Sequence, residues 1–180
     1  MADRVVIDAS VAVALVREES GSPIARGLVT SWTGSGSELL VPSHFWLEVT
    51  WALTRRPDPT SAVAVEALIA LDRLGLRTFE LDRPLLLLVI EGVAQFRLST
   101  YDAAYLALAQ STDSRLATLD RRLAVAAVRA GITVEPDPPT RLAEDRGAYG
   151  SEVHTRVDWA HSAVVGAHIA ELRRRAIAGA

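Results

Sequence analysis

The segment VVIDASVAVAL (residues 5–15) begins as a strand and continues as a helix, with an acidic residue at the junction. Residues 5–7 are a short β-branched run, which predicts a buried strand. Residues 9–17 have the composition of a helix that follows it directly. Asp8 ends the strand, where a carboxylate has little local purpose. The segment therefore predicts a strand whose carboxyl end presents an acid.

The same strand-then-helix order continues along the chain. Further strands are predicted at 39–41, 76–81, 115–118 and 132–134, and helices at 22–32, 43–54, 59–74, 84–95, 101–111 and 121–130. Strands that alternate with helices favour a parallel sheet covered on both faces. We predict a Rossmann-like α/β/α sandwich with about five parallel strands.

A change of composition at Pro136-Asp-Pro-Pro139 divides the chain. We expect a globular α/β domain at 1–135 and, at 136–180, a linker followed by a C-terminal helix. An apolar stripe on that predicted helix indicates that it packs on its own domain, on a second copy or on a partner.

Composition excludes several classes of protein. Hydrophobic residues make up 49% and charged residues 23%, which is enough to form a core. The absence of cysteine excludes disulfides, thiolate zinc sites and cysteine nucleophiles, and agrees with a reducing, cytoplasmic location. The net charge of −3 gives no global basic footprint, although all 19 basic residues are Arg. Asp8 interrupts the apolar N-terminus, so we predict neither a signal peptide nor a membrane span.

Four acids fall where the predicted strands end or the helices begin: Asp8, Glu48, Asp102 and Asp120. In an open parallel sheet these positions share one edge, where ligands usually bind. Carboxylates about 5 Å apart repel by roughly 3 kcal/mol, and we expect no Lys or His close to them. A divalent cation would balance them, and all-oxygen ligation favours Mg²⁺ or Mn²⁺ over zinc. We expect their mutual repulsion to raise carboxylate pKa values in the metal-free protein.

Each acid also has a structural interpretation. Asp102 and Asp120 stand where residues cap helices, and Glu48 alone is typical of a solvated helix residue. The joint placement of all four at one edge favours a metal site. Such a site suits phosphodiester hydrolysis, because a metal lowers the pKa of bound water and neutralises phosphate oxygens.

The segments VVIDASVAVAL, FWLEVTWAL, LSTYDAAYLALA and LATLDRRLAVAA, in this order, resemble PIN domains, and more narrowly VapC-type toxins of bacterial toxin–antitoxin pairs. The resemblance covers residues 4–134. It implies a Mg²⁺- or Mn²⁺-dependent endoribonuclease with the four acids as metal ligands. Supporting roles for the hydroxyls of Ser10 and Thr118 follow from it, with turn hydrogen bonding as the alternative. It also implies a cytoplasmic protein, often a homodimer, that cleaves RNA and is silenced by a small VapB-like antitoxin.

The chain departs from this pattern at Trp51, where many relatives carry Asn. Trp51 shares a helix face with Glu48, so it is a candidate for stacking on an RNA base, with ordinary helix packing as the alternative. Arg121 and Arg122 follow Asp120 and are candidates for contacting the phosphate backbone, with a solvated helix face as the alternative. The segment 135–180 is not covered by the family pattern.

Two other functions compete with a nuclease. One is a catalytically inactive PIN-like module that binds RNA or a partner protein. The other is a different Rossmann-like enzyme or signalling domain. A haloacid-dehalogenase-type phosphatase has a second Asp where this chain has Ser10, and a phosphoacceptor receiver has a Lys that this chain lacks.

Overall fold

Strands and helices alternate along the chain in the computed structural model, which describes residues 3–55 and 61–137. Within these residues the strands are β1 (Arg4–Ile7), β2 (Glu38–Pro42), β3 (Arg77–Phe79), β4 (Arg115–Ala117) and β5 (Val134–Glu135). The helices are α1 (Ala9–Val16), α2 (Ser22–Ser35), α3 (Phe45–Thr54), α4 (Ser61–Asp72), α5 (Arg83–Phe96), α6 (Thr100–Thr112) and α7 (Arg121–Arg129).

One parallel sheet joins the five strands in the order β3-β2-β1-β4-β5. The central strand β1 pairs Val5 with Leu39 of β2 on one side and with Arg115 of β4 on the other. Val5 and Val6 are fully buried, as expected for a strand covered on both faces. This order places the carboxyl ends of β1 and β4 side by side.

The helices lie on both faces of the sheet. Right-handed crossovers from β1 to β2 and from β2 to β3 place α1 to α4 on one face. The chain then returns across the sheet through α5 and α6, which lie with α7 on the other face. Packing agrees with this assignment, since α1 contacts α2, α3 and α4, whereas α6 contacts α5 and α7.

The predicted fold is confirmed, and the strand bounds differ most from the predicted ones at β3 and β5. β3 is shorter than the predicted 76–81, because its ladder with β2 runs only from Leu40–Arg77 to Pro42–Phe79. β5 begins at residue 134 instead of 132, because it pairs only with the last two residues of the short strand β4. In both cases the neighbouring strand determines where the strand begins and ends, and the local sequence carries no information about that neighbour.

A side-chain hydrogen bond joins the end of β5 to α2. The indole nitrogen of Trp32, a fully buried residue of α2, donates to Glu135 Oε2 over 2.6 Å. The predicted C-terminal helix lies outside the described residues, as does nearly all of the predicted segment 136–180 and the predicted start of the helix at 59. Across residues 3–55 and 61–137, every helix is too short or too polar to cross a bilayer.

Candidate metal centre

Asp8 follows β1 directly and its side chain is only 6% exposed. It occupies the N-cap position of α1, yet its carboxylate makes no capping hydrogen bond. Instead, Oδ2 accepts from the hydroxyl of Thr118 over 2.8 Å and from the hydroxyl of Ser10. The Ser10 oxygen also accepts from the backbone N–H of Leu119 over 2.9 Å. Two hydroxyls thus fix a buried carboxylate at the joint end of β1 and β4.

Glu48 lies in the first turn of α3 and is half-buried. Its Oε2 accepts from the hydroxyl of Tyr105 on α6, at 2.5 Å. The same oxygen lies 3.4 Å from Nε2 of His44, the residue before α3. This is a close contact without hydrogen-bond geometry, and neither ring nitrogen of the buried His44 has a hydrogen-bond partner among residues 3–55 and 61–137.

The expectation that no His lies close to the acids is therefore wrong. His44 precedes Glu48 by four residues, which places both on one face at the start of α3. The ring of His44 also packs against two tyrosines of α6, with centroids 4.9 Å from Tyr105 and 5.5 Å from Tyr101.

Asp102 lies in the first turn of α6, and Ser99 caps that helix. The Ser99 hydroxyl accepts from the backbone N–H of Asp102 over 3.0 Å and donates to Asp102 Oδ2 over 2.8 Å. Asp102 itself is not the capping residue, which leaves its other oxygen available to a ligand.

Asp120 is the N-cap of α7, as its alternative interpretation predicts. Its Oδ1 accepts from the backbone N–H groups of Arg122 and Leu123, at 2.7 and 3.0 Å. The side chain is exposed. Its backbone N–H donates to the hydroxyl of Thr118 over 2.9 Å, and that hydroxyl bonds Asp8. Asp120 is thus joined to the cluster through Thr118.

The electrostatics of Asp8 show which acids come together. Burial raises the pKa of Asp8 to about 6, the hydrogen bonds from Ser10 and Thr118 oppose that rise, and the charges of Glu48 and Asp102 add to it. The predicted direction of the pKa shift is therefore confirmed for Asp8. Its main cause is desolvation, with repulsion between carboxylates second. Glu48 and Asp102 therefore both lie within electrostatic reach of Asp8.

All four carboxylates share one arrangement. In each, one oxygen accepts a hydrogen bond from a protein donor, and the other accepts none from residues 3–55 and 61–137. Each acid also lies at a helix N-terminus, whose partial positive charge favours an anion. The positions and the oxygen donors fit a hard divalent cation.

The side chains as they stand do not form a ready-made cage. Within the two described stretches, no three acidic or histidine side chains lie close enough to hold one metal ion. Glu48 and Asp102 are partly exposed and Asp8 is buried. Joint ligation of one ion by these acids therefore requires a rearrangement of their side chains.

An apolar cavity of about 890 Å³ adjoins the acids between α1, α2 and α3. Glu48 and Ser10 line it beside Trp51, Leu47 and Tyr101. These three hydrophobic side chains are 60%, 74% and 57% exposed, respectively. Among the described residues the Trp51 ring is largely open to solvent, and the Arg55 guanidinium lies 4.4 Å from its centroid.

Arg121 and Arg122 are both exposed at the start of α7. The guanidinium of Arg122 donates to the backbone oxygen of Arg97 over 3.2 Å, on the face of the sheet that carries α5 and α6. The two arginines thus follow Asp120 directly at the start of α7, and neither lines the cavity.

Sequence reasoning missed Tyr105 and His44. Tyr105 lies three residues after Asp102, so helical spacing places both on one face of α6. That spacing was the available signal for Tyr105, as the four-residue spacing to Glu48 was for His44. Only the packing of α6 against the start of α3 shows that both side chains reach the same carboxylate oxygen.

Comparison with known proteins supports the fold. VapC20 from Mycobacterium tuberculosis, a toxin that cleaves the sarcin–ricin loop, is 20% identical, with 68% of this chain and 94% of that chain covered and a TM-score of 0.56. PAE2754 from Pyrobaculum aerophilum is 24% identical, with coverages of 80% and 90% and a TM-score of 0.56. VapBC2 from Rickettsia felis, bound to a DNA fragment from its promoter, is 10% identical, with coverages of 73% and 97% and a TM-score of 0.58.

The curated proteins contain no match to the chain. The PIN domain family matches residues 5–129, which span β1 to α7 and include all four acids. The parallel five-stranded sheet agrees with that match. The chain therefore belongs to the PIN domain family.

Proposed function

We propose that this protein is a metal-dependent endoribonuclease, a VapC-like toxin that a cognate antitoxin neutralises. The observation that carries the proposal is the buried carboxylate of Asp8, which makes no capping hydrogen bond and whose pKa is raised by burial and by Glu48 and Asp102. A fold that only needed stability would not bury this charge without a cationic partner.

Asp8, Glu48 and Asp102 would hold a Mg²⁺ or Mn²⁺ ion, with Asp120 as the fourth acid beside them. When bound, such an ion supplies a nucleophilic water at neutral pH and neutralises charge on the scissile phosphate. Ser10 and Thr118 hold Asp8 in place, because both donate to the same oxygen and leave the other for the ligand. This division of one carboxylate between protein and ligand is typical of metal sites in which neighbouring residues hydrogen-bond to the metal ligands.

The RNA would lie along the acidic edge. Trp51 and Tyr101 offer exposed aromatic faces beside Glu48, on which an unstacked base can lie. Arg121 and Arg122 are exposed next to Asp120 on the other side and supply positive charge for phosphates. Single-stranded RNA matches this combination better than a duplex does, because its bases are free to stack on side chains.

An antitoxin is the proposed protein partner. Two of the similar structures are toxin–antitoxin assemblies, one from Klebsiella pneumoniae and one from Rickettsia felis. The exposed apolar side chains beside the acids are a surface that an antitoxin segment would cover. We also propose a homodimer in the cytoplasm, as is typical of the VapC-type proteins that the chain resembles. Expression of the chain alone should arrest bacterial growth, and co-expression of the neighbouring small reading frame should restore it.

RNA cleavage by the purified full chain tests the catalytic part. We expect cleavage of total RNA with Mn²⁺ and none with EDTA. Asp8→Asn should lower the rate on the order of a hundredfold or more, since it removes a ligand charge. Asp113→Asn is the matched control, because Asp113 is an exposed residue at the far end of α6. Cleavage by Asp8→Asn at the wild-type rate would contradict the proposal.

A catalytically inactive module that binds RNA or a partner is the second candidate. One observation favours it, namely that no three potential ligands in the described parts of the chain meet around one point. Such a module would bind RNA equally well with Mn²⁺ or EDTA and would leave it intact. The same cleavage experiment therefore separates the two functions.

A further inference from the structure

We propose that Tyr105 is a positioning residue for Glu48, whose hydroxyl holds one carboxylate oxygen and leaves the other for the metal ligand shell. This inference rests on the proposed function. It adds to the four acids of the proposed site a fifth residue, which acts through Glu48.

The contact is direct and buried. Tyr105 is fully buried, and its hydroxyl donates to Glu48 Oε2 over 2.5 Å although 57 residues separate the two in sequence. Glu48 itself is partly exposed, so without this bond its flexible side chain would sample several rotamers. A single fixed rotamer lowers the entropic cost of ligation.

The hydroxyl of Tyr105 also connects the elements that carry three of the acids. Its bond to Glu48 is the one hydrogen bond that joins α3 and α6 among residues 3–55 and 61–137. The negative charge of Asp8 also acts on this hydroxyl. Asp102 lies one helical turn before Tyr105 on α6. Tyr105 thus bonds Glu48, lies on the helix that carries Asp102 and is within electrostatic reach of Asp8.

The surroundings of the Tyr105 hydroxyl favour its role as a donor to Glu48. Burial raises the pKa of Tyr105, and the negative charges of Asp8 and Glu48 raise it further.

His44 supports the same arrangement from the α3 side. Its ring lies edge-on to Tyr105, with centroids 4.9 Å apart and planes at 65°. Nε2 lies 3.4 Å from the oxygen that Tyr105 bonds, so both residues approach Glu48 on one oxygen. The two rings thus pack together beside the Glu48 carboxylate.

The alternative is that Tyr105 only fills the core. Its ring does so, and removal of the hydroxyl alone separates the two roles. A purely structural hydroxyl would affect unfolding and leave the metal affinity of the folded protein unchanged. A positioning hydroxyl would weaken metal binding, as outer-shell substitutions usually do by 10- to 100-fold, roughly.

The test compares Mn²⁺ binding by titration calorimetry for the full-length wild type, Tyr105→Phe and the control Ser111→Ala. Ser111 is a buried hydroxyl on the same helix, which donates to the backbone oxygen of Leu108 over 3.0 Å. We expect the Mn²⁺ Kd of Tyr105→Phe to rise about tenfold or more. The Kd of Ser111→Ala should stay at the wild-type value, and both variants should melt at similar temperatures without metal.

Two unnatural residues keep the test decisive if Tyr105→Phe does not fold. With 4-fluorophenylalanine at position 105 the para position is filled without a donor, so the Kd should rise. With 4-aminophenylalanine an N–H donor is present at the same place, so the Kd should return towards the wild-type value. Equal Kd values for these two proteins would overturn the positioning role.

Failure of the inference and failure of the proposed function look different. A wild type that binds Mn²⁺ and cleaves RNA, together with a Tyr105→Phe variant whose Kd stays within about twofold of it, contradicts only the role of Tyr105. A wild type that neither binds Mn²⁺ nor cleaves RNA contradicts the proposed function and removes the basis of the inference.

Discussion

The hydroxyl of Thr118 donates to Asp8 Oδ2 over 2.8 Å, although the two residues are 110 positions apart in the sequence. The bond forms because β1 and β4 are neighbours in the sheet, with Ile7 paired to Ala117, so that the next residue of each strand reaches the same edge. It connects the most buried acid with the loop that leads to Asp120. The strand order thus brings together acids that are far apart in sequence.

Thr118→Val should raise the pKa of Asp8 above its value of about 6, because the lost hydrogen bond favours the charged carboxylate. The buried acceptor also loses a partner, which should cost about 1–3 kcal/mol of unfolding free energy at pH 8. A ¹³C-detected NMR titration of labelled aspartate measures the pKa directly. A downward shift, or none, would show that the bond does not stabilise the carboxylate.

Folding stability should depend on pH through Asp8. Its folded pKa of about 6 lies above the ordinary value of 3.8, so its stabilising contribution is complete below pH 3.8 and is lost as the pH rises through 6. Ionised Asp8 should cost about 3 kcal/mol at pH 8. Asp8→Asn should therefore be more stable than wild type at pH 8, with the difference shrinking towards pH 4. Urea unfolding at several pH values tests this, and a wild type as stable as Asp8→Asn at pH 8 would refute it.

Mn²⁺ should stabilise the wild type at pH 8 by about 3 kcal/mol when its concentration is 100 times the Kd. The gain should disappear in Asp8→Asn and persist in Asp113→Asn. Thermal melts with Mn²⁺ and with EDTA report the difference. A wild-type melting temperature that is the same in both buffers would mean that the folded chain does not bind the ion.

Trp51→Ala should change the unfolding free energy by no more than about 0.5 kcal/mol, because the ring is 60% exposed. It should nevertheless weaken RNA binding if the ring stacks on a base, by about 1–3 kcal/mol. Trp46→Ala is the contrasting variant, since Trp46 packs on Phe45 and its indole donates to Thr78 over 3.0 Å. It should lower stability clearly. Unchanged RNA affinity for Trp51→Ala in a filter-binding assay would exclude the stacking role.

The fold could be predicted from local patterns, because each strand and helix carries its own signal. The strand at 5–7 and the helices predicted at 84–95 and 101–111 are found where the sequence predicts them. Strand ends could not be predicted as well, since β3 and β5 stop where their partners β2 and β4 stop pairing. The predicted strand order explains why the acids lie at one edge of the sheet. It does not predict which side chains hydrogen-bond to them.

The contact between Tyr105 and Glu48 could not be predicted from the sequence, for a physical reason. Tyr105 in an apolar helix has the composition of a core residue, and it is a core residue by burial. Its link to Glu48 depends on the packing of α6 against the start of α3, which leaves no periodicity in the sequence. Asp120 is the opposite case. Its capping hydrogen bonds are to the residues that follow it, so this role could be predicted from the sequence as an alternative.

An anomalous difference map from crystals grown with Mn²⁺ tests the central claim most directly. We predict one strong peak within about 2.5 Å of carboxylate oxygens from Asp8, Glu48 and Asp102. A map without a peak at this edge of the sheet, or with Mn²⁺ bound only elsewhere, would contradict the metal centre and the nuclease activity that depends on it.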